Sequence, residues 1–187
     1  MTTFHLADGG WILLEEGFLQ PADASRCFQA LLAHTDWVQK QGVFGHLQPR
    51  LTAAHGDPGI NYRYSGTSNP AAAWTDTLLE LKHRVERVRG RYNFCLLNRY
   101  RSGADSVGWH ADDEPGMGEV IASLSLGSAR VFRIRHRQSR ETRSIRQGDG
   151  ALLIMGGTMQ RFWQHAVPKT KRPVGERVNL TFRWMAG

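Results

Sequence analysis

From Tyr92 to Trp184 the chain alternates apolar and polar residues with a period of two, and that pattern does not lapse back to a helical one. The segments are Tyr92–Arg99, Val120–Leu126, Ala129–His136, Thr142–Arg146, Ala151–Met155 and Arg177–Trp184. Gly103, Gly108, Gly127, Gly148, Gly150, Gly156 and Gly157 punctuate them. Side chains that alternate faces every residue belong to strands. Before this region the periodicity differs. Trp11–Leu14 is a short strand, and Pro21 opens an amphipathic helix to about Ala33 through Ala24, Cys27, Phe28, Leu31 and Leu32. A second helix is expected from Ala71 to Val88 with Trp74, Leu78, Leu81, Val85 and Val88 as its buried stripe, ended by Gly90. Between them, residues 39–70 are rich in Gly, Pro and aromatics, as loops and short strands are. Two helices followed by many strands predict an α+β fold, a sheet sandwich or jelly roll with the N-terminal helices packed on one side. A length of 187 residues without linker, repeat or low-complexity tract suits one domain spanning 1–187.

The last of these strands, Arg177-Val178-Asn179-Leu180-Thr181-Phe182-Arg183, has two contrasting faces. Val178, Leu180 and Phe182 require a core. Arg177, Asn179, Thr181 and Arg183 require water, or else a cavity holding an anion that guanidinium groups can clasp. The net charge of +7 and a pI near 10.0 favour a polyanionic partner. Between Arg133 and Arg172 stand ten Lys or Arg and only two acids, Glu141 and Asp149. That stretch is either a solvated basic face or a surface that tracks phosphates. Cys27 and Cys95 have no metal-site spacing and suggest no disulfide framework. No apolar run is long enough to span a membrane, and the start lacks a signal pattern. The expectation is therefore a protein that is not secreted: cytoplasmic in a bacterium, nuclear in a eukaryote.

Polar residues recur where strand faces should be apolar. Asn98 and Tyr100 share a face with Phe94 and Leu96, a costly arrangement unless something there accepts hydrogen bonds. In Gly108-Trp109-His110-Ala111-Asp112, extended backbone points His110 and Asp112 the same way, about 7 Å apart along the chain. His165, 55 positions after His110, lies between two predicted strands. Two histidines and one carboxylate make the facial triad of non-haem iron(II) oxygenases, which leaves coordination positions open. The other histidines show no comparable arrangement.

The order Asn98-x-Tyr100, His110-x-Asp112, His165 and Arg177-x-Asn179-x-x-x-Arg183 resembles the AlkB family of iron(II)/2-oxoglutarate dioxygenases, from about Val43 to Trp184. The resemblance implies a double-stranded β-helix (jelly roll) at 91–187, preceded at 1–90 by helices and a nucleotide-recognition lid. It implies His110, Asp112 and His165 as ligands of iron, Fe(2+), with 2-oxoglutarate as cosubstrate and O2 as oxidant. Arg183 with Tyr100 would hold the distal carboxylate of 2-oxoglutarate. Arg177 would lie near the chelating end or the base, supported by Asn98 and Asn179. Val43-Phe44-Gly45 followed by Pro49-Arg50 is similar to the wedge hairpin of the branch acting on duplex DNA, with Phe44 as the wedge. His55 to Gly66 looks like that branch's base-pocket lid, which contributes Tyr62, Tyr64 and Ser65. Asp112-Asp113-Glu114 matches its acidic run, in which Glu114 reaches the base. Between the ligands stands Ala111, where that branch usually has a basic residue.

What the resemblance implies is a DNA-repair dioxygenase, and the chain is expected to be a monomer. It would remove N-alkyl groups from bases such as 1-methyladenine and 3-methylcytosine, releasing formaldehyde, succinate and CO2. Phe44 would offset the cost of unstacking the base, Tyr62 or Tyr64 with His110 would sandwich it, and Arg133, Arg135 and Arg137 would face phosphates. Two other readings fit the same residues: an oxygenase of the same family that demethylates RNA, and a catalytically silent jelly-roll protein that binds nucleic acid through its basic face.

Overall fold

The structure, a computed structural model, describes residues 1–42, 45–64 and 67–186, and for 61–64 and 67–70 the backbone alone. Two antiparallel sheets face each other. The larger is built from β1 (Thr2–His5), β2 (Gly10–Glu15), β3 (Leu51–Gly56), β6 (Phe94–Tyr100), β8 (Ile121–Gly127), β11 (Ala151–Gly157) and β13 (Arg177–Arg183). Their order is β1-β2-β11-β8-β13-β6-β3. The smaller has β7 (Val107–His110), β9 (Arg130–His136), β10 (Thr142–Gln147) and β12 (Trp163–Val167), in the order β10-β9-β12-β7. The arrangement is the jelly roll that the alternation predicts. A separate hairpin pairs β4 (Asn61–Tyr64) with β5 (Thr67–Pro70).

The helices α1 (Pro21–His34) and α2 (Asp76–Val88) cover the outer face of the larger sheet. Ala24, Cys27 and Leu31 of α1 and Leu78, Leu81 and Val85 of α2 pack on Leu97, Leu124, Ile154, Val178, Leu180 and Phe182. Burying each such side chain stabilises the fold by about 1.5–3 kcal/mol, so this layer anchors the sheet from behind. The helix α2 starts later than its periodicity suggests. Thr75 caps it, its side chain accepting from the Leu78 N–H at 3.3 Å. The backbone of Ala72 is already spent on Ala54 and Gly56 of β3. Trp74 thus stands before the helix, and its indole donates to Asp57 at 2.6 Å. At the other end Gly90 takes φ +89°, and a Cβ there would meet the Tyr92 hydroxyl at 2.6 Å. Only glycine suits that turn.

The space between the sheets is divided. Toward β2 and β11 it is apolar, filled by Ile12, Leu153, Met155, Ile134 and Trp163. Toward β8, β13 and β6 the inward residues are Ser123, Ser125, Asn179, Thr181, Asn98 and Tyr100, all buried. A buried polar surface of this kind persists only where hydrogen bonds or a ligand satisfy it.

Candidate active site

The strands β7 and β12 were not evident from the sequence, and they assemble the site. They pair antiparallel with His165 directly opposite His110, so residues 55 positions apart become cross-strand neighbours with ring centroids 4.2 Å apart. Asp112 lies just beyond the end of β7. Its Oδ1 is 3.7 Å from His110 Nε2, and its Oδ2 is 3.9 Å from His165 Nε2. The candidate ligand atoms of the three residues lie within 4.8 Å of one another. Gln160, in the short helix α3 (Met159–Phe162), accepts from the Asp112 N–H at 3.0 Å and fixes the turn. Phe132 stacks on the His165 ring at 5.3 Å.

The electrostatics suit a cation. Asp112 is buried, which alone would raise its pKa. The Arg183 guanidinium, with smaller contributions from His165 and His110, outweighs burial and holds the carboxyl well below the usual range. Burial, aided by His110 and opposed by Asp112, pushes His165 down to about 3, so its imidazole is neutral at ordinary pH and offers a lone pair. Asp112 Oδ1 is buried without a hydrogen-bond partner among the described residues. An orphaned carboxylate oxygen between two imidazoles fits a divalent ion with nitrogen and oxygen preference.

The cavity leading from this cluster is lined by Leu96, Asn98, Tyr100, Ser123, Asn179 and Thr181, with Arg50 and Arg183 among its walls. All polar residues of β13 are buried, so the inward face of that strand is not a wetted surface. The antiparallel register pairs Arg177 with Tyr100, Asn179 with Asn98, and Arg183 with Phe94. The register sets Arg177, and not Arg183, beside Tyr100. Arg183 donates to Asp112 Oδ2 at 2.8 Å, at the metal end. Arg177 lies over the Tyr100 ring at 5.2 Å, at the far end. Six residues of strand, about 20 Å, separate the two arginines along β13. Arg177 is 1% exposed, and burial, opposed by Tyr100, brings its pKa down to about 10. Its Nη1 has no hydrogen-bond partner among the described residues. Asn98 accepts from Arg50 Nε at 2.8 Å, so Arg50 belongs to the cavity wall.

Other expected residues are distributed as follows. Phe44 and Ser65 lie outside the described residues, as do the side chains of Tyr62 and Tyr64, whose backbone forms β4. Glu114 is half-buried in the loop after Asp112, and Ala111 is half-buried between the ligands. Arg133 and Arg135 lie over the Trp109 ring at 5.7 and 4.4 Å. Arg137 turns onto Asp113 at 2.7 Å. Ser123, Ser125, Gln147 and Gln160 were missed. The alternation of small polar residues in Ile121-Ala122-Ser123-Leu124-Ser125-Leu126 marks two of them, since Ala122, Leu124 and Leu126 take the core face.

Residues 12–183 match the model of the 2OG-Fe(II) oxygenase superfamily. The bovine alpha-ketoglutarate-dependent dioxygenase alkB homolog 3 is 39% identical over 188 residues, covering 92% of this chain and 65% of that protein. The mouse DNA oxidative demethylase ALKBH2 is 37% identical over 179 residues, covering 87% of this chain and 75% of its own length. This chain therefore spans a little under two thirds of the alkB homolog 3 protein. Among solved structures, OsALKBH1 superposes with a TM-score of 0.65 at 17% identity, over 98% of this chain and all of that one, a likeness of fold alone. With the same motifs placed around one cavity, the chain belongs to the AlkB family of the 2OG-Fe(II) oxygenase superfamily.

Proposed function

We propose that the chain is an iron(II)- and 2-oxoglutarate-dependent dioxygenase that removes N-alkyl groups from nucleobases, with alkylated DNA as its substrate class. One observation carries the reading. The half-buried His110 and the buried Asp112 and His165 open on one polar cavity lined by Asn98, Tyr100, Asn179 and Arg183, and the buried Arg177 lies against the Tyr100 ring. Iron(II) held by His110, Asp112 and His165, with 2-oxoglutarate and O2, supplies the oxidation of the N-alkyl carbon, which ends in formaldehyde and the unmodified base.

The protein's own groups then divide the work. Arg177 and Tyr100 receive the distal carboxylate of the cosubstrate, with Asn98 and Asn179 lining its path. Arg183 keeps Asp112 ionised and oriented. His165 stays neutral because it is buried, so no proton competes for its nitrogen at ordinary pH. The apolar wall of Leu96, Phe132 and Met155 limits water near the reacting carbon. His110, at the mouth, faces the entering base, and Tyr62, Tyr64 and Ser65 are assigned to contacts with that base. Arg133 and Arg135 on the outer face of the smaller sheet suit phosphates.

The name of the alkB homolog 3 relative supports a 2-oxoglutarate-dependent dioxygenase, and that of ALKBH2 supports oxidative demethylation of DNA. The test is succinate and formaldehyde release on a 1-methyladenine oligonucleotide, single-stranded and paired, with an RNA counterpart. Asp112→Ala, which removes the anionic ligand, should abolish turnover and weaken metal binding. Full activity in that variant refutes the site. Faster turnover of the RNA strand moves the substrate class to RNA. No succinate release by the wild type leaves only a nucleic-acid-binding protein.

A further inference from the structure

Gln147, the last residue of β10, is completely buried although it is a polar amide in a hydrophobic sandwich. Its position bridges the two sheets. Its Oε1 accepts from Arg177 Nη2 at 2.9 Å, while its Nε2 lies 3.4 Å from the Ser123 carbonyl and 3.3 Å from Ser123 Oγ. A carbonyl only accepts, so the amide nitrogen must face Ser123 and the amide oxygen must face Arg177. The remaining partners of Arg177 are of the same kind. Ser125 Oγ accepts from Nε at 2.8 Å, and Asn179 Oδ1 accepts from Nη2 at 2.6 Å.

Every one of these acceptors is neutral. Arg177 forms no ion pair among the described residues, and a second cation, Arg130, lies against the same Tyr100 ring at 5.4 Å. A buried guanidinium usually meets a carboxylate from its own chain. Here the protein satisfies Nε and Nη2 with neutral dipoles, sets the Tyr100 ring against the guanidinium, and supplies no carboxylate among the described residues. An amide is the one side chain with the shape of glutamate that can do this.

We propose that Gln147 is a positioning and specificity residue. It orients the Arg177 guanidinium from the opposite sheet, and by being neutral it reserves the charge of Arg177 for the carboxylate of a ligand. The proposal rests on the reading of Arg177 as the receiver of the distal carboxylate of 2-oxoglutarate. Its consequence is selectivity. Gln147→Glu keeps the shape of the side chain and supplies an internal counter-charge. It therefore penalises a ligand ending in a carboxylate and spares one ending in a methyl group.

The experiment measures binding of 2-oxoglutarate and of 2-oxopentanoate by calorimetry, to protein loaded with zinc(II) as a redox-silent metal. The two ligands share the chelating end and differ at the far end. In Gln147→Glu the affinity for 2-oxoglutarate should fall about 10-fold or more, the scale of one charge-assisted hydrogen bond. Affinity for 2-oxopentanoate should stay within about 2-fold, a scatter well under the tenfold step of 1.4 kcal/mol. Unchanged binding of 2-oxoglutarate, or an equal loss for both ligands, overturns the proposal, since a merely structural glutamine has no reason to discriminate between them. Arg177→Met separates the two levels of the argument. If it still prefers 2-oxoglutarate, the reading of Arg177 itself fails. If it loses the preference while Gln147→Glu keeps it, only the role of Gln147 fails. Should Gln147→Glu not fold, Gln147→Met removes the accepted bond at similar size. A loss confined to 2-oxoglutarate then supports the proposal, and equal affinities overturn it.

Discussion

Replacing Arg183 with Met tests the electrostatic account of the metal end. The side chains of Arg183 and Asp112 are 3% and 1% exposed and meet at 2.8 Å. Breaking a buried pair by removing one partner costs about 3–5 kcal/mol, because the other charge stays behind. For a domain of this size each kcal/mol lowers the melting temperature by about 2–4 °C, so the metal-free variant should melt roughly 6–20 °C below the wild type. A divalent ion at His110, Asp112 and His165 gives Asp112 a new counter-charge. With excess zinc(II) the gap should shrink to less than about half, since binding to the native state alone adds stability by mass action. The pH dependence has a definite sign. The Asp112 carboxyl is held below its ordinary value of 3.8. The stability it contributes is present above that value and is lost as pH falls further. In the metal-free protein the gap should therefore narrow on acidification below about pH 4, the ordinary carboxylate range. The assay is a thermal melt of both proteins in chelator and in zinc(II), at neutral and acid pH. Equal melting in chelator, or a gap that zinc(II) leaves untouched, refutes the reasoning.

Two further outcomes are expected. Phe44→Ala should slow repair of a paired 1-methyladenine by about 10-fold or more, the effect of about 1.4 kcal/mol in the transition state, and leave the single-stranded lesion nearly unaffected; an unchanged duplex-to-single-strand ratio shows that Phe44 is not a wedge. Asp105, whose carboxylate takes hydrogen bonds from the side chain and backbone of Arg101, has a lowered pKa despite its burial, so its contribution is present above the ordinary carboxylate value and lost below it. Asp105→Asn should lower the neutral-pH melting temperature and flatten the acid limb below about pH 4, and an acid limb identical to that of the wild type counts against the assignment.

Much of the fold was legible because its strands obey one rule over long segments. The larger sheet presents Leu97, Leu124, Ile154 and Leu180 to the helices, and each sits at an alternating position that hydropathy reveals. The boundary of α2 was not legible. Residues 71–74 carry apolar side chains at helical spacing, yet the backbone of Ala72 is taken by β3, a long-range pairing that no local pattern records. The strands β7 and β12 failed for a related reason. Val107-Gly108-Trp109-His110 and Trp163-Gln164-His165-Ala166-Val167 are short, and their polar inward positions belong to the site rather than to the core.

The three candidate ligands were legible by residue type and order, whereas the roles of the two arginines were not, and the difference is physical. A metal site demands particular donor atoms, so His110, Asp112 and His165 announce themselves wherever the chain carries them. Arg177 and Arg183 are chemically identical and share one strand face, so their roles depend only on which end of β13 the metal occupies. That is decided by the register of β13 against β6, which sets Tyr100 across from Arg177, and by the loop after β7, which carries Asp112 back to Arg183. Neither is a local property. The missed polar partners follow the same logic. Gln147 stands at the end of a strand whose exposed residues include Arg143, Ser144 and Arg146, and its pattern resembles theirs. Only the facing sheet makes it different, by bringing a buried guanidinium to its amide oxygen. The proposed selectivity at Arg177 would therefore be a property of two strands, β10 and β13, whose side chains Gln147 and Arg177 meet across the sandwich.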